Sequence, residues 1–335
     1  MNEVSPSQIA SALHGYGVHL PDPGVSLADV SLANGLRGMR GLPGALILAD
    51  QTYKISKPLV LCEGQHLVGL GSSATLLYVG APLADTAALV TLSSGGGLRN
   101  VAILGMGLHG VGVRPAPTNS GFTLRDVRVS GFQVGLDLAN CYTLVFDNCR
   151  FEGNDVGVYL HDHWVMNSTW RGGHIAGNRV GIVVDGVCHI GHHWRTCIEG
   201  NSEAGVWVKG GLLCASFKEC YFELNGQADI SLDANLAGDR AEVIEIEGCN
   251  FTSAGQPPAS QSQIGIELWV CRQVSIRHNH FSIANPLAIQ EGAQATQIGP
   301  NLWRIPPLLS KVSGGRDTRF HAGTAAPPAG WFRAD

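Results

Sequence analysis

Charged residues are scarce in this sequence of 335 residues, since they make up only 15% of it. The net charge is -5, so the composition gives no electrostatic basis for binding nucleic acid or an anionic membrane. No apolar run reaches the roughly 18 residues of a membrane-spanning helix. Residues 1–10 lack the basic and apolar regions of a secretory signal peptide. We therefore expect no nucleic-acid partner and no membrane insertion.

The sequence also lacks the cysteine spacing of a zinc site, because its nine cysteines include no Cys-x-x-Cys pair. Several cysteines recur at the core-facing positions of a sequence repeat. We expect them to be reduced and to act as small apolar core residues, and a disulfide framework is the less favoured alternative. This spacing predicts no metal.

Most of the sequence is a repeat that extends over residues 101–289. Residues 152–158, 176–182 and 199–206 show it directly, each with a Gly-Asn turn followed by an apolar run centred on a glycine. A small or polar marker recurs every 22–24 residues, apart from one interval of 36 that contains a loop insertion at 253–263: Gly112, Gly135, Gly157, Gly181, Gly205, Asp229, Gly265 and Ala288. Such a period indicates stacked units that bury their apolar faces against one another.

The repeat unit has strand and turn residues and no helical pattern, which predicts an all-β parallel β-helix. Its coils stack about 4.8 Å apart. Three columns are predicted to point inward: Phe151, Ile175, Ile198, Phe222, Phe251 and Phe281; Cys149, Gly173, Thr196, Cys220, Cys249 and Asn279; and Phe146, Trp170, His193, Phe217, Ile246 and Ile276. The polar side chain of His193 is expected to bond to a turn carbonyl.

Both ends of the chain differ from the repeat. Ser5-Pro6 predicts the start of a short helix over residues 6–14, and Ser26 caps a second helix that ends near Gly38. Residues 300–335 are rich in proline and glycine. We therefore divide the chain into an N-terminal helical cap (1–43), a parallel β-helix (44–299) and an extended C-terminal tail (300–335), which is a candidate oligomerisation segment.

The first coils resemble a known pattern, with GALILADQTYKI at 44–55, PLVL at 58–61, GQHLVGLG at 64–71 and TLL at 75–77. This resembles the opening of the pectate-lyase-like right-handed parallel β-helix superfamily, in the branch of phage tailspikes and polysaccharide depolymerases. The resemblance implies a right-handed, single-stranded β-helix with an N-terminal capping helix. Together with the aromatic, proline-rich tail, it also implies a homotrimer. It does not identify the reaction, because the superfamily includes lyases, hydrolases, epimerases and non-catalytic binders.

Carboxylates occupy the position that follows the inward Phe/Ile column, where the residues are Glu152, Ala176, Glu199, Glu223, Thr252 and Ser282. Since residues alternate along a strand, the three glutamates are expected to form one outward "acidic ridge". Residues one coil apart are separated by about 5 Å and residues two coils apart by about 10 Å. Glu199 with Glu223 suits the 5–5.5 Å of retaining glycosidases, and Glu152 with Glu199 lies near the upper edge of the 6.5–9.5 Å of inverting ones. Like-charge crowding is expected to raise one pKa and supply a general acid.

Aromatic and basic side chains flank the acidic ridge. Tyr159 and Trp207 are predicted to point outward two coils apart, where they can stack on sugar rings. Basic residues lie on the other side: Arg150, Arg171, His174, Arg195 and Lys218. Acids, aromatics and cations together suit an acidic polysaccharide, and a solvated face with surface ion pairs is the alternative.

Histidines are concentrated in one segment, since six of the 13 fall between His161 and His193. In the predicted register, His161 lies near Asp185, and a His-Asp pair can act as the base of a lyase or an epimerase. A transition-metal site is a second alternative. The favoured interpretation is that these are turn residues that satisfy backbone groups at a coil corner.

Three functional hypotheses follow. The first is a phage tailspike-like virion protein, assembled in the host cytoplasm, that binds a bacterial surface polysaccharide and cleaves it by glycoside hydrolysis without a cofactor. The second is a non-catalytic carbohydrate-binding or structural β-helix. The third is a polysaccharide lyase or uronan epimerase that uses His161 and Asp185. The first assigns catalysis to Glu199, Glu223 and Glu152, and substrate binding to Trp207, Tyr159, Arg195, His174, Arg171 and Lys218.

Overall fold

The computed structural model describes residues 18–19, 43–71, 74–116, 118, 120–189, 191–234, 241–253, 264–283, 285–290, 292–303 and 319–320. In this part of the chain, the predicted all-β parallel β-helix is confirmed. The two predicted N-terminal helices, most of the loop insertion and most of the C-terminal tail lie outside it. Within it, no helix is long and apolar enough to cross a membrane.

The described residues contain 31 strands. In chain order they are β1 (Val18–His19), β2 (Gly44–Leu48), β3 (Thr52–Ile55), β4 (Leu59–Leu61), β5 (Gln65–Gly69), β6 (Thr75–Tyr78), β7 (Ala88–Leu92), β8 (Gly97–Leu104), β9 (Val111–Pro115), β10 (Thr123–Ser130), β11 (Val134–Ala139), β12 (Tyr142–Asp147), β13 (Arg150–Glu152), β14 (Val156–Arg171), β15 (His174–Ala176), β16 (Val180–Cys188), β17 (His192–Trp194), β18 (Cys197–Glu199), β19 (Ala204–Val208), β20 (Leu212–Lys218), β21 (Tyr221–Glu223), β22 (Ala228–Asp233), β23 (Ala241–Glu247), β24 (Asn250–Thr252), β25 (Ile264–Arg277), β26 (His280–Ser282), β27 (Asn285–Ile289), β28 (Ala293–Gln294), β29 (Gln297–Ile298), β30 (Leu302–Trp303) and β31 (Arg319–Phe320).

The coils present three faces, each a ladder of parallel strands. In the middle of the molecule, the first face contains β12, the end of β14, β17, β20 and β23. The second face contains the short strands β13, β15, β18, β21 and β24. The third face contains β9, β11, the start of β14, β16, β19 and β22. Each coil contributes one stretch of strand to each face, so neighbouring coils place equivalent residues side by side.

The three predicted inward columns are buried, except that Gly173 is only partly buried. Aromatic rings at the C-terminal end continue from coil to coil. Phe222, Phe251, Phe281 and Trp303 stack with ring centroids 4.7–4.8 Å apart, which matches the spacing of neighbouring coils. Each buried phenylalanine contributes about 1.5–3 kcal/mol of transfer free energy.

His193 occupies one of these inward columns as an aromatic ring. It is 1% exposed and stacks between Trp170 and Phe217, with ring centroids 5.0 Å from each. Its Nδ1 has no hydrogen-bond partner among the described residues, so this atom does not make the expected bond to a turn carbonyl. Burial lowers the pKa of His193 to about 3, so the ring is neutral at neutral pH.

The turns of four successive coils build a ladder of buried asparagines, Asn154, Asn178, Asn201 and Asn225. In three of these turns the preceding glycine has a φ of 60–64°, the left-handed region that suits glycine: Gly153, Gly177 and Gly200. The Oδ1 of Asn178 accepts from the backbone N–H of Asn154 at 2.9 Å, and its Nδ2 donates to the carbonyl of Phe151 at 3.0 Å. The ladder therefore fixes the register of neighbouring coils beside the second face.

All nine cysteines are unpaired. Six of them are buried, as expected of small apolar core residues: Cys141, Cys149, Cys188, Cys220, Cys249 and Cys271. Cys197 differs because it is partly exposed and lies on the second face, one residue before the inward Ile198. Its thiol is thereby available to the side chains of the acidic ridge.

Candidate functional site

The acidic ridge has the predicted register. On the second face, Glu152 pairs with Ala176, Ala176 with Glu199, and Glu199 with Glu223. The residue before each of them is buried in the core, so the three carboxylates project outward. The side chain of Glu152 is 17% exposed and that of Glu199 is 33% exposed, which makes both accessible but partly desolvated.

An imidazole ring joins two of these carboxylates. His174 Nδ1 lies 2.9 Å from Glu152 Oε1, and His174 Nε2 lies 2.9 Å from Glu199 Oε1. Each ring nitrogen thus lies within hydrogen-bond distance of one carboxylate oxygen. The sequence suggested His174 as a cation facing the substrate, whereas the structure places it between two glutamates.

Ala176 explains why the ring fits there. It holds the ridge position on the coil between Glu152 and Glu199, and its methyl group leaves the space that the imidazole occupies. The ring nitrogens are about 2.2 Å apart, so the two hydrogen bonds keep the carboxylate oxygens at most about 8 Å apart. This upper bound overlaps the 6.5–9.5 Å range of inverting glycosidases, but the ring fills the gap in which their water would sit.

Glu199 has a further partner on its own strand. Cys197 Sγ donates to Glu199 Oε2 at 3.2 Å. Burial, followed by the hydrogen bond to Glu199, raises the pKa of the Cys197 thiol. Both oxygens of Glu199 are therefore engaged, which orients the carboxylate.

Glu223 is held from one side. The Tyr221 hydroxyl donates to Glu223 Oε2 at 2.9 Å, and no other hydrogen bond to the Glu223 carboxylate is found among the described residues. Burial raises the pKa of Tyr221 to about 12, with the bond to Glu223 as the second cause. Glu223 is the register neighbour of Glu199, one coil spacing away.

Glu152, at the N-terminal end of the acidic ridge, is neutralised by two arginines. Arg128 Nε lies 3.1 Å from Glu152 Oε2, and Arg150 Nη1 lies 3.8 Å from Glu152 Oε1. Glu152 thus contacts two guanidinium groups and one imidazole. Glu199 and Glu223 form no ion pair with an arginine or a lysine among the described residues. The two glutamates on adjacent coils therefore lack the arginine partners that Glu152 has.

Tyr159 and Trp207 lie on the third face in the predicted column. Tyr159 pairs with Val183, and Val183 pairs with Trp207. Together with Val180 they form an outward apolar cluster separate from the core. Lys209 Nζ lies 3.8 Å from the centre of the Trp207 ring, so a cation already covers part of that ring.

The other basic candidates are dispersed over the first face and its corner. Arg171 is exposed. Arg195 Nε lies 2.7 Å from Glu219 Oε2, and Lys218 Nζ lies 2.8 Å from Glu245 Oε2. Arg195 and Lys218 thus form surface ion pairs and do not contact the acidic ridge.

A second polar group, the "histidine corner", consists of Arg114, Asp137, Tyr159, His161 and Asp185. His161 and Asp185 are neighbours in register, as predicted. The side-chain partners of His161 are nevertheless Asp137, with Nε2 2.7 Å from Oδ1, and Asp162, with Nδ1 3.3 Å from Oδ2. The hydrogen bond to Asp137 is the main cause of a raised pKa of His161. The ring stacks on Tyr159, with centroids 4.7 Å apart.

The partners of that histidine extend the group. Asp137 is 2% exposed and also accepts from Arg114, whose Nε lies 2.6 Å from Oδ2. Asp185 Oδ2 accepts from the Tyr159 hydroxyl at 3.0 Å. Burial and Asp185 raise the pKa of Tyr159 to about 12. The histidine corner therefore contains two carboxylates that each contact a side chain on a neighbouring coil, Asp137 with His161 and Asp185 with Tyr159.

Four residues of these groups were not identified from the sequence: Arg114, Asp137, Cys197 and Tyr221. Asp137 belongs to the column of Tyr159 and Trp207, one coil earlier, so extending that column would have found it. Cys197 and Tyr221 share the column of His174, two residues before the acidic ridge, and this spacing was a usable signal.

The fold has known counterparts. The Dettilon tailspike protein has a TM-score of 0.58 and 14% identity over 88% of this chain and 69% of its own. A double mutant of the tailspike protein of E. coli bacteriophage HK620 has a TM-score of 0.58 and 11% identity over 90% of this chain and 64% of its own. The catalytic unit of a thermostable GH87 alpha-1,3-glucanase from Streptomyces thermodiastaticus has a TM-score of 0.59 and 14% identity over 84% of this chain and 57% of its own.

These similarities establish the fold, which is a right-handed parallel β-helix as predicted. This chain spans less than two thirds of the length of the HK620 tailspike and of the glucanase unit. No family model and no curated protein sequence matches this chain.

Proposed function

We propose that this chain is a tailspike-like protein that binds a bacterial surface polysaccharide and hydrolyses its glycosidic bonds at the acidic ridge. The observation that carries the proposal is the direct register of Glu199 and Glu223 on adjacent coils of the second face. Neighbouring coils are about 4.8 Å apart, which is close to the 5–5.5 Å between the carboxyl groups of retaining glycosidases.

The two carboxylates have different surroundings, as acid and nucleophile require. Glu199 is oriented at both oxygens by His174 and Cys197. The Glu223 carboxylate accepts from Tyr221 at one oxygen and has no other hydrogen-bond partner among the described residues. In this proposal, Glu223 attacks the sugar, and Glu199 delivers the proton to the leaving oxygen. His174 and Cys197 position Glu199.

The substrate-binding surface in this proposal continues to the third face. Tyr159 and Trp207 lie two coils apart there, in a spacing of about 10 Å that suits stacking on sugar rings along a chain. Arg171 is exposed at the edge of the first face and can bind an acidic sugar. Arg195 and Lys218 would first have to leave their carboxylate partners.

The proposal includes a homotrimer in a phage virion. It is supported by the similarity of fold to two tailspikes. Trp303, at the start of the C-terminal tail, stacks on Phe281 of the last regular coil, which packs this first part of the tail against the solenoid. Light scattering of the purified protein at micromolar concentration should give three times the mass of 35.4 kDa. A monomer at that concentration contradicts the trimer.

The decisive experiment is a halo assay on capsulated bacterial strains, followed by mass spectrometry of the released oligosaccharides. Hydrolysis adds one water to each cleaved bond. A lyase instead leaves an unsaturated sugar that absorbs in the ultraviolet, and a non-catalytic binder releases no product. A halo with water-added products supports the proposal, and either other result overturns the hydrolase assignment.

The histidine corner supports a second candidate, a polysaccharide lyase or uronan epimerase. The observation in its favour is the pair of short contacts from His161 to Asp137 and from Tyr159 to Asp185. A proton taken from a sugar carbon needs such a base, and Arg114 adds positive charge nearby. Unsaturated products, or exchange of solvent deuterium into the polymer without cleavage, would select this candidate.

A further inference from the structure

We propose that His174, Cys197 and Glu199 form a binding site for one divalent transition-metal ion of the zinc type. The site lies on the acidic ridge and uses Glu199, so a bound ion would block the proton transfer proposed above, and the two roles are tested separately. Its ligand atoms are a ring nitrogen, a thiol sulfur and a carboxylate oxygen, which all lie within 4.8 Å of one another.

The β-helix register brings these three side chains together. His174 on β15 pairs directly with Cys197 on β18, so the two side chains are next to each other on adjacent coils. Glu199 follows Cys197 by two residues and therefore projects from the same side of the strand. All three are partly buried, which limits competition from water without closing access to an ion.

The donor set is selective in its chemistry. Thiolate and imidazole ligands favour zinc, cobalt and copper over magnesium and calcium, which take oxygen ligands. The metal-free contacts, His174 Nε2 to Glu199 Oε1 at 2.9 Å and Cys197 Sγ to Glu199 Oε2 at 3.2 Å, are compact. Bond lengths of about 2.0–2.3 Å require ligand atoms about 3.3–3.7 Å apart in a tetrahedron, so small side-chain rotations suffice.

Glu152 completes the arrangement as an orienting group. A histidine that binds a metal through one nitrogen usually donates from the other to a carboxylate, which fixes the ring. Here Glu152 Oε1 lies 2.9 Å from His174 Nδ1, on the side opposite the site. Three protein ligands leave a fourth position for water or for a substrate oxygen.

Spectroscopy with Co²⁺ tests the site independently of any activity. Purified protein, first treated with a chelator, is titrated with CoCl₂. A tetrahedral site that includes a thiolate gives sulfur-to-cobalt charge transfer in the near ultraviolet together with intense visible bands. We expect one equivalent of Co²⁺ to produce both, and ZnCl₂ to displace it.

Matched variants identify the ligands. Cys197→Ser should abolish the charge-transfer band, whereas Cys214→Ser should preserve it, because Cys214 is exposed on β20. His174→Gln should lower the affinity strongly, whereas His280→Gln should not, because His280 occupies the same column on β26 and contacts Asn250 instead of a carboxylate. Glu152→Ala should weaken Co²⁺ binding about 10–100-fold.

Two results overturn the metal site. One is the absence of the charge-transfer band from wild-type protein that circular dichroism shows to be folded. The other is a band that survives Cys197→Ser in a folded variant. Neither result affects the halo assay, so a failed metal site and a failed hydrolase remain distinguishable.

Discussion

His174 Nε2 lies 2.9 Å from Glu199 Oε1, although the two residues belong to different coils. The contact orients the carboxylate that stands next to Glu223 in register. It also makes Glu199 the residue shared by every role that the acidic ridge supports, because the same carboxylate contacts the imidazole and the Cys197 thiol. Changes at Glu199 are therefore the most informative.

Glu199→Gln should abolish most hydrolysis while leaving the fold intact. Glutamine has the same size but cannot supply the acid proton, and a lost acid–base group lowers turnover by about 10²–10⁴-fold. The measurement is the initial rate of reducing-end release from purified polysaccharide. Glu242→Gln is the control, since Glu242 lies on the first face beside Arg272. Full activity of Glu199→Gln, together with an inactive His161→Ala, would transfer the reaction to the histidine corner.

Trp207→Ala should weaken polysaccharide binding more than it slows turnover of bound substrate. The indole is on the third face and contributes stacking area but no acid or base. Loss of one sugar–aromatic contact should reduce affinity by roughly tenfold, about 1.4 kcal/mol, within the range of aromatic contacts. Binding isotherms with the inactive Glu199→Gln background measure this directly. Trp269→Ala is the matched control, because Trp269 is also exposed but belongs to β25. Equal losses in both variants would contradict a specific role for Trp207.

The periodicity of the sequence was sufficient to predict the fold, the inward columns and the register of the acidic ridge. Those features depend on residue type and spacing, because side chains along a strand point alternately to its two faces. The position of His174 was not predictable in the same manner. It depends on the small side chain of Ala176 and on a rotamer directed along the solenoid axis, and spacing contains no information on rotamers.

Likewise, the partner of His161 was predicted only to the level of the backbone. The register with Asp185 is correct, but the imidazole reaches back one coil to Asp137, a carboxylate buried beside Arg114. A long side chain can contact either neighbouring coil, so register leaves two possible partners. Burial of Asp137 favours the one that neutralises its charge.

Asn178→Ala should destabilise the β-helix near the ridge. The substitution removes the acceptor of the Asn154 N–H and the donor to the Phe151 carbonyl, both in buried positions. Each unsatisfied buried group costs about 1–3 kcal/mol, so we expect a loss of about 2–6 kcal/mol. Urea unfolding followed by circular dichroism measures it. Asn250→Ala, at the one partly exposed position of the second-face strand β24, should cost much less. Similar losses would mean that the asparagine ladder does not stabilise the solenoid.

His193→Phe should stabilise the protein, and more so in acid. Phenylalanine keeps the stacking between Trp170 and Phe217 and removes Nδ1, which has no partner among the described residues. At pH 7 we expect a gain of about 1–3 kcal/mol, the cost of one unsatisfied buried polar atom.

The pH dependence follows from the pKa of His193, which is lowered from 6.5 to about 3 by burial. Between these values the unfolded chain binds a proton that the folded chain does not, so the wild-type protein loses stability as the pH falls below 6.5. The phenylalanine variant lacks this loss. Its advantage over wild type should therefore grow by roughly 2 kcal/mol between pH 7 and pH 5, at about 1.4 kcal/mol per pH unit below 6.5. Melting temperatures of both proteins at the two pH values test this, with His109→Phe as a control because His109 is exposed. A pH-independent difference would mean that the His193 ring is protonated in the folded state or reaches water.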